Sequence, residues 1–438
     1  MSMIDGPAVR TGLGARRRVR RPAGLCADPS GRGSRGLTSS PTTRRVTRAG
    51  AHPQGAPALP AVLLAAALDP ADPAAEGFLG RTLQDVEDWG QLTNTASRQG
   101  MAGLPYRRAA EQCPECVPSG VLAEWRHRAT EVAQRSLQMQ RQLLHLIDAL
   151  ESGGVPTIAF KGPVSSEVLY GDSTLRSFVD VDLLVHPSDA ESARSIALSL
   201  GYVEEYPFHA VDRDVREKGE PEIGFRHVST GLLMEIHWRI RPRLTGASLP
   251  ASALFARSQV IRLMGRRIRV LGPEDTALML AVHASAHGWN RIEDLASAGA
   301  ALSHADVDGG SALLALARQH GCTRRVHVAA LLVEALVGAR TPESVVTSAC
   351  NDRLARWMTR LLGNRVVRGI GPDRDDFSRF GRVGDTLLQT LSLDDCKGML
   401  SFVWGRLLVP GANDWMTWDA KRVPAMRVWR RQWRVWRK

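Results

Sequence analysis

The spacing of apolar residues changes along this chain, and each change marks a different kind of element. Residues 1 to about 58 are rich in Arg, Gly, Pro, Ser and Thr and show no apolar period, which predicts an unstructured extension. From Leu59 to Leu150 the pattern is helical. It is clearest from about Val121, where Ala129, Val132, Leu137, Leu143, Leu144, Ile147 and Leu150 recur at helix spacing before Gly153-Gly154 stops the run. The period then shortens. Val155–Phe160 reads as a short buried strand, Lys161-Gly162 as a turn, and Pro163 as the first position of a helix reaching about Tyr170. Phe178–Val185 is a second strand, and Pro187-Ser188-Asp189 opens a helix that stops at Gly201. Gly231–Ile240 alternates most cleanly, with Met234, Ile236, Trp238 and Ile240 on one face and Glu235, His237 and Arg239 on the other. Val260–Val270 reads as a hairpin about Gly265-Arg266. From Pro273 helices return, at 273–287, 311–320, 323–337 and 342–362, with a loop expected over 363–383.

These elements divide the chain into a basic extension (1–58), an N-terminal helical region (59–152), a small α/β unit (153–272), a C-terminal helical domain (273–420) and a terminal helix (421–438). The expected class is α+β, a small mixed sheet flanked by helical regions.

Charge changes this picture only at the ends. The formal net charge is +12. The first 58 residues hold 11 arginines against two aspartates, and residues 421–438 hold eight basic residues and no acid, so the body between them is mildly acidic. A body of that sign does not suggest a groove for a long nucleic acid. The six cysteines are scattered and form no disulfide framework, which fits a reducing cytoplasm. Cys113 and Cys116 form one C-x-x-C, but no second pair at a matching spacing completes four zinc ligands, and two loop thiols are expected. No apolar run approaches the roughly 18 residues of a membrane span. The best, Leu59–Leu68, follows an arginine-rich stretch as a secretion signal would, but the basic region before it is too long and it reads as the first helix of the body.

The chemistry centres on Phe178-Val-Asp-Val-Asp-Leu-Leu-Val185. Aspartate is a poor strand former, and the i, i+2 spacing puts Asp180 and Asp182 on one face. Two buried like charges call for a cation, and oxygen-only ligands favour Mg²⁺ or Mn²⁺. Such a pair points to phosphoryl transfer, although an isolated D-x-D is more often a loop cap or an arginine partner. Three other features bear on it. Lys161-Gly162 closes a strand and opens a helix, as a phosphate turn would or as a plain turn does. Arg176 could clamp a triphosphate or pair with a nearby acid. Glu235 could supply a third carboxylate and accept a proton, with His237 on its face orienting substrate, or both could lie on a solvated face.

In order, Phe160-Lys-Gly-Pro163, Leu169-Tyr170-Gly171, Leu175-Arg176, Asp180-Val-Asp-Leu-Leu-Val185 and Met234-Glu-Ile-His-Trp238 resemble the bacterial nucleotidyltransferase family of the DNA polymerase β-like superfamily, in its K-G…D-x-D…E-x-H-W branch. The resemblance extends from about Leu59 to about Leu302 and includes Pro273-Glu-Asp275, His283, His287-Gly-Trp289 and Asp294. It implies a polymerase-β-like palm flanked by N- and C-terminal helical regions. Asp180, Asp182 and Glu235 would be catalytic metal ligands, and Lys161, Gly162 and Arg176 would bind the nucleotide. The reaction would be attack of an acceptor hydroxyl on the α-phosphate of an NTP, with Mg²⁺ or Mn²⁺, releasing pyrophosphate. The wider superfamily has Gly-Ser where this chain has Lys161-Gly162-Pro163.

His283 and His287, one helical turn apart, have zinc-binding spacing but no evident third ligand, so they are expected to contact substrate or Asp294, or simply to pack with satisfied hydrogen bonds. In Ala425–Lys438, Trp429, Trp433 and Trp436 lie among arginines. That is an amphipathic helix that either docks on the helical domain or touches an anionic membrane. The expected function is a cytoplasmic nucleotidyltransferase acting on a small molecule or a protein hydroxyl. The alternatives are a non-catalytic binding or assembly protein of the same fold and an RNA-directed transferase using the basic tails.

Overall fold

In a computed structural model, the structure describes residues 62–63, 66–67, 78–205, 222–240, 249–289, 291–306, 308–337, 341–368 and 381–408. Helices α1 (Phe78–Gln84), α2 (Trp89–Arg98), α3 (Gly103–Gln112) and α4 (Ser119–Ser152) come first. Of the predicted helix at Leu59–Leu68, Val62, Leu63 and Ala66 are described, and they are helical and buried. Asp88 starts α2 by accepting a hydrogen bond from the Gln91 N–H at 2.8 Å. The 34-residue α4 ends at Gly153, as its sequence predicts.

The α/β segment holds β1 (Ile158–Ala159), α5 (Pro163–Tyr170), β2 (Asp180–Leu184), α6 (Ala190–Ser199), β3 (Tyr202–Glu204), β4 (Glu222–His227), β5 (Leu233–His237), β6 (Arg239–Ile240), β7 (Leu249–Pro250), α7 (Ala251–Ala256), β8 (Gln259–Leu263) and β9 (Arg266–Val270). Seven strands form one sheet in the order β3-β4-β5-β2-β1-β9-β8, and β6 pairs with β7 separately. The sheet is mixed: β2/β5 and β1/β9 run parallel, and the other pairs antiparallel. The β8/β9 hairpin turns at Met264 and Gly265, both at positive φ, which suits a tight two-residue connection.

Alternation along β2 and β5 sorts their side chains. Val181, Leu183, Met234, Ile236 and Trp238 enter a core with Leu143, Leu146, Ile147 and Leu150 of α4 and Ala193 and Ala197 of α6. Leu184, on the opposite face with the aspartates, packs in a second core with Leu278 and Val282. The alternation predicted to Ile240 breaks after Trp238. The chain leaves the large sheet there, and Ile240 pairs with Leu249 and packs in the second core rather than with Met234 and Ile236.

Helices α8 (Pro273–Ala286), α9 (Ile292–His304), α10 (Ser311–Gln319), α11 (Thr323–Val337), α12 (Glu343–Asn351), α13 (Arg353–Arg368), α14 (Gly381–Leu391) and α15 (Cys396–Leu408) follow. The single helix predicted over 342–362 is two. Asp352 breaks it in an extended conformation, and its carboxylate accepts the N–H groups of Leu354 and Ala355 at 3.1 and 3.0 Å, capping α13. The loop predicted over 363–383 is also shorter, because α13 runs to Arg368 and α14 starts at Gly381. Strands β3 and β4 and helix α9 have no counterpart among the elements predicted from spacing. No described helix is long and apolar enough to cross a membrane. The expectations for 1–58 and 421–438 lie outside the described residues.

Candidate active site

Asp182 sits where three strands deliver charge to one face. In the parallel β2/β5 pair Asp182 is directly beside Glu235, and in the antiparallel β4/β5 pair Glu222 is beside His237. Lys161, at the end of β1, reaches Asp182 Oδ1 through Nζ at 2.7 Å. His237 Nε2 meets the same oxygen at 3.0 Å and Glu235 Oε2 at 3.2 Å, while its Nδ1 meets Glu222 Oε2 at 2.9 Å. The Asp182 side chain is fully buried, and among the described residues its Oδ2 has no hydrogen-bond partner.

The charges follow from this arrangement. Burial alone would raise the pKa of Asp182, but the Lys161 charge and the His237 hydrogen bond hold it below the usual range. Burial works against a charged His237, yet the Glu222 charge and the bonds to Asp182, Glu222 and Glu235 push its pKa well up. Asp180 moves the other way. Burial, then the Asp182 and Glu235 charges, push it up to about 6. Among the described residues, the four carboxylates Asp180, Asp182, Glu222 and Glu235 are thus gathered about Lys161 and His237.

These groups border a cavity of about 650 Å³, lined by Lys161, Gly162, Asp180, Glu222, Glu235 and His237 on the sheet side. Asp182 lies behind this lining. Gly162 has φ 63° and ψ −142°, a conformation open essentially to glycine alone, and a Cβ there would stand 3.0 Å from the Asp180 carbonyl oxygen. The turn therefore presses on the start of β2. Arg176 lines the same cavity but is buried and already held: its guanidinium donates to Ser297 Oγ at 2.5 Å and lies 3.7 Å from Glu293. His283 and His287 stand on the helical side beside Asp294.

Residues 85–338, more than half of the chain, match the family described as uncharacterised nucleotidyltransferase. The chain belongs to that family. Neither the curated proteins nor the solved structures compared with it include a significant match. The mixed sheet with flanking helices is consistent with a polymerase-β-like palm, and general nucleotidyl transfer is the activity of this class.

In this nucleotidyltransferase the fold gathers Lys161, Asp182, Glu235 and His237 into one bonded network, with Asp180 next to it. Lys161, expected at the phosphates, is tied to Asp182, and Arg176, expected to clamp a triphosphate, is tied to α9. The sequence reading missed Glu222. The alternation Glu222-Ile-Gly-Phe-Arg226, with Ile223 and Phe225 buried, was the available signal. It is short, and only its pairing with β5 shows what Glu222 faces.

Proposed function

We propose that this cavity transfers the NMP group of an NTP to a hydroxyl of a small molecule or a protein, in the cytoplasm and with Mg²⁺ or Mn²⁺. The observation that carries the reading is the orphaned, fully buried Oδ2 of Asp182, beside Glu235 and on the face of Asp180. A buried carboxylate oxygen without a donor is costly, and a cation is the partner that such a carboxylate cluster would accept. The all-oxygen set of Asp180, Asp182 and Glu235 suits a hard divalent ion. Such an ion, when bound, would polarise the α-phosphate and offset charge on the attacking and leaving oxygens.

The residues of the chain divide the remaining work. The acceptor oxygen bonds to the α-phosphorus as the bond to the bridging oxygen breaks, and pyrophosphate leaves with that electron pair. Glu235, a third exposed on its side chain, accepts the acceptor's proton. His237 holds Asp182 and Glu235 at fixed distances. Lys161, tied to Asp182 and partly exposed, is placed to turn its ammonium toward the triphosphate once Asp182 is otherwise satisfied. Arg176 lines the wall across from it. The mildly acidic body favours a small or protein acceptor over a long nucleic acid.

The test is label transfer from a panel of α-labelled NTPs to candidate acceptors, with Mg²⁺ or Mn²⁺. Transfer is expected in the native chain and absent in Asp182→Asn. If no NTP binds with either ion, and Asp182→Asn changes nothing, the reading fails.

A further inference from the structure

The helical wall of the cavity holds a second group of ligand atoms, of a different chemical kind. His283 and His287 lie one turn apart at the end of α8, and their rings stand 4.4 Å apart, edge to face. Spacing alone left them without a third ligand. The fold supplies one in Asp294, from the first turn of α9. Its Oδ2 is 2.7 Å from His287 Nδ1 and its Oδ1 is 3.7 Å from His283 Nε2. One ligand atom from each of the three residues lies within 4.8 Å of the others. Tetrahedral ligands about 2.0–2.2 Å from one ion stand about 3.3–3.6 Å apart, so closure needs side-chain movements of about 1 Å.

The backbone between the two helices is built to make this approach. Directly after His287 come Gly288 at φ 63° and Trp289 at φ 52°. A bulky residue in the left-handed region is strained and persists only when its surroundings enforce it. Here Trp289 is fully buried, and its N–H donates to the Ala284 carbonyl at 2.8 Å. From α14, Gln389 donates to the Ala286 carbonyl at 2.7 Å and holds the same helix end. Strain kept at this turn brings Asp294, itself buried, under the two imidazoles, while both histidines remain partly open to the cavity.

We propose that His283, His287 and Asp294 form a second metal site, distinct from the carboxylate site and selective for a borderline transition ion such as Zn²⁺ or Co²⁺. Two imidazoles and one carboxylate favour such ions over Mg²⁺, which prefers oxygen ligands. Three protein ligands beside a cavity leave a coordination position for an outside oxygen donor, as in open rather than structural zinc sites. The proposal does not depend on nucleotidyl transfer, because it concerns binding alone.

Co²⁺ is the probe, followed in the full chain by its visible absorption and by titration calorimetry. Co²⁺–imidazole bands matching one equivalent are expected in the native chain, beside the Co²⁺ taken by the carboxylate site, and that equivalent should persist in an Asp180→Asn/Asp182→Asn double variant. His283→Ala and His287→Ala should each weaken it by about 10- to 100-fold. Thermal melts check that each variant folds, and if His287→Ala does not, the more loosely held His283→Ala and the conservative His287→Gln carry the test. Unchanged affinity in the histidine variants, loss in the double aspartate variant, or no Co²⁺ binding at all overturns the proposal. Failure of label transfer with Mg²⁺ would leave these outcomes unaffected.

Discussion

Among the described residues, Asp180, Asp182, Glu222 and Glu235 on the sheet wall of the cavity face Lys161 and His237, whereas on the helical wall Glu293 and Asp294 face Arg176, Arg291, His283 and His287. The difference has a structural origin. Strand register sets side chains from three neighbouring strands on one face at fixed spacing, so like charges cannot turn away from one another. Helix side chains arrive on longer arms from separate turns and reach their own partners. The sheet wall therefore crowds four carboxylates about two shared partners among the described residues, while on the helical wall Asp294 pairs with the histidines and Glu293 with the arginines.

The largest break in this comparison should come from Asp182→Asn. It leaves Lys161 and His237 short of their shared anion, and breaking such a buried pair costs about 3–5 kcal/mol. Label transfer should fall by about 10²–10³-fold or more, and a denaturant melt should show the stability loss. Glu222→Gln tests the sheet wall less severely. It removes the largest charge that raises the His237 pKa, and kcat/KM should fall by about 10- to 100-fold while the fold stays intact by circular dichroism.

The third measurement is of stability against pH. With its folded-state pKa raised to about 6 from 3.8, Asp180 binds its proton more tightly in the folded chain. Its contribution is thus full below about pH 4 and lost as pH rises through 6, on the order of 3 kcal/mol. Added Mg²⁺ should flatten that slope, and Asp180→Asn should abolish it. The smallest effect lies behind the helical wall. Asp352 caps α13 and contacts Arg324 and His327. Burial would raise its pKa, but the His327 bond, the Ala355 N–H and the Arg324 charge lower it to about 2. Its contribution is present above about pH 4 and lost as pH falls through 2. Asp352→Ala should cost about 1 kcal/mol near neutral pH, in thermal melts, with transfer activity unchanged.

The same contrast explains what could be read from the chain itself. Period-two alternation put Asp180 with Asp182 and Glu235 with His237 on shared faces, and Pro163, Gly153 and the Gly265 turn marked boundaries where the backbone requires those residues. Family resemblance joined the pieces. Alternation within one strand carries no record of its neighbours, so the pairing of Asp182 with Glu235 and the approach of Glu222 to His237 were not legible. The histidine contact with Asp294 was expected as one alternative, and the structure shows it, but the left-handed Trp289 turn that shapes it is predicted by no local preference. The split at Asp352 was missed because its apolar spacing continues across a cap that only the hydrogen bonds reveal.

The strand order also bears on how this chain acquires its site. His237 and Asp182 are 55 residues apart in sequence, and the two-residue β1 joins the sheet to β9 by pairing Ala159 with Val270. Contacts of such long range form late, because the intervening chain must surrender its freedom before they repay it. During synthesis, Asp182 emerges well before β5, one of the two strands that flank it, and β1 waits for residue 270 to gain its second neighbour. Metal affinity at the acidic cluster would therefore be a late-appearing marker of folding, silent in nascent or truncated chains that already hold their helices.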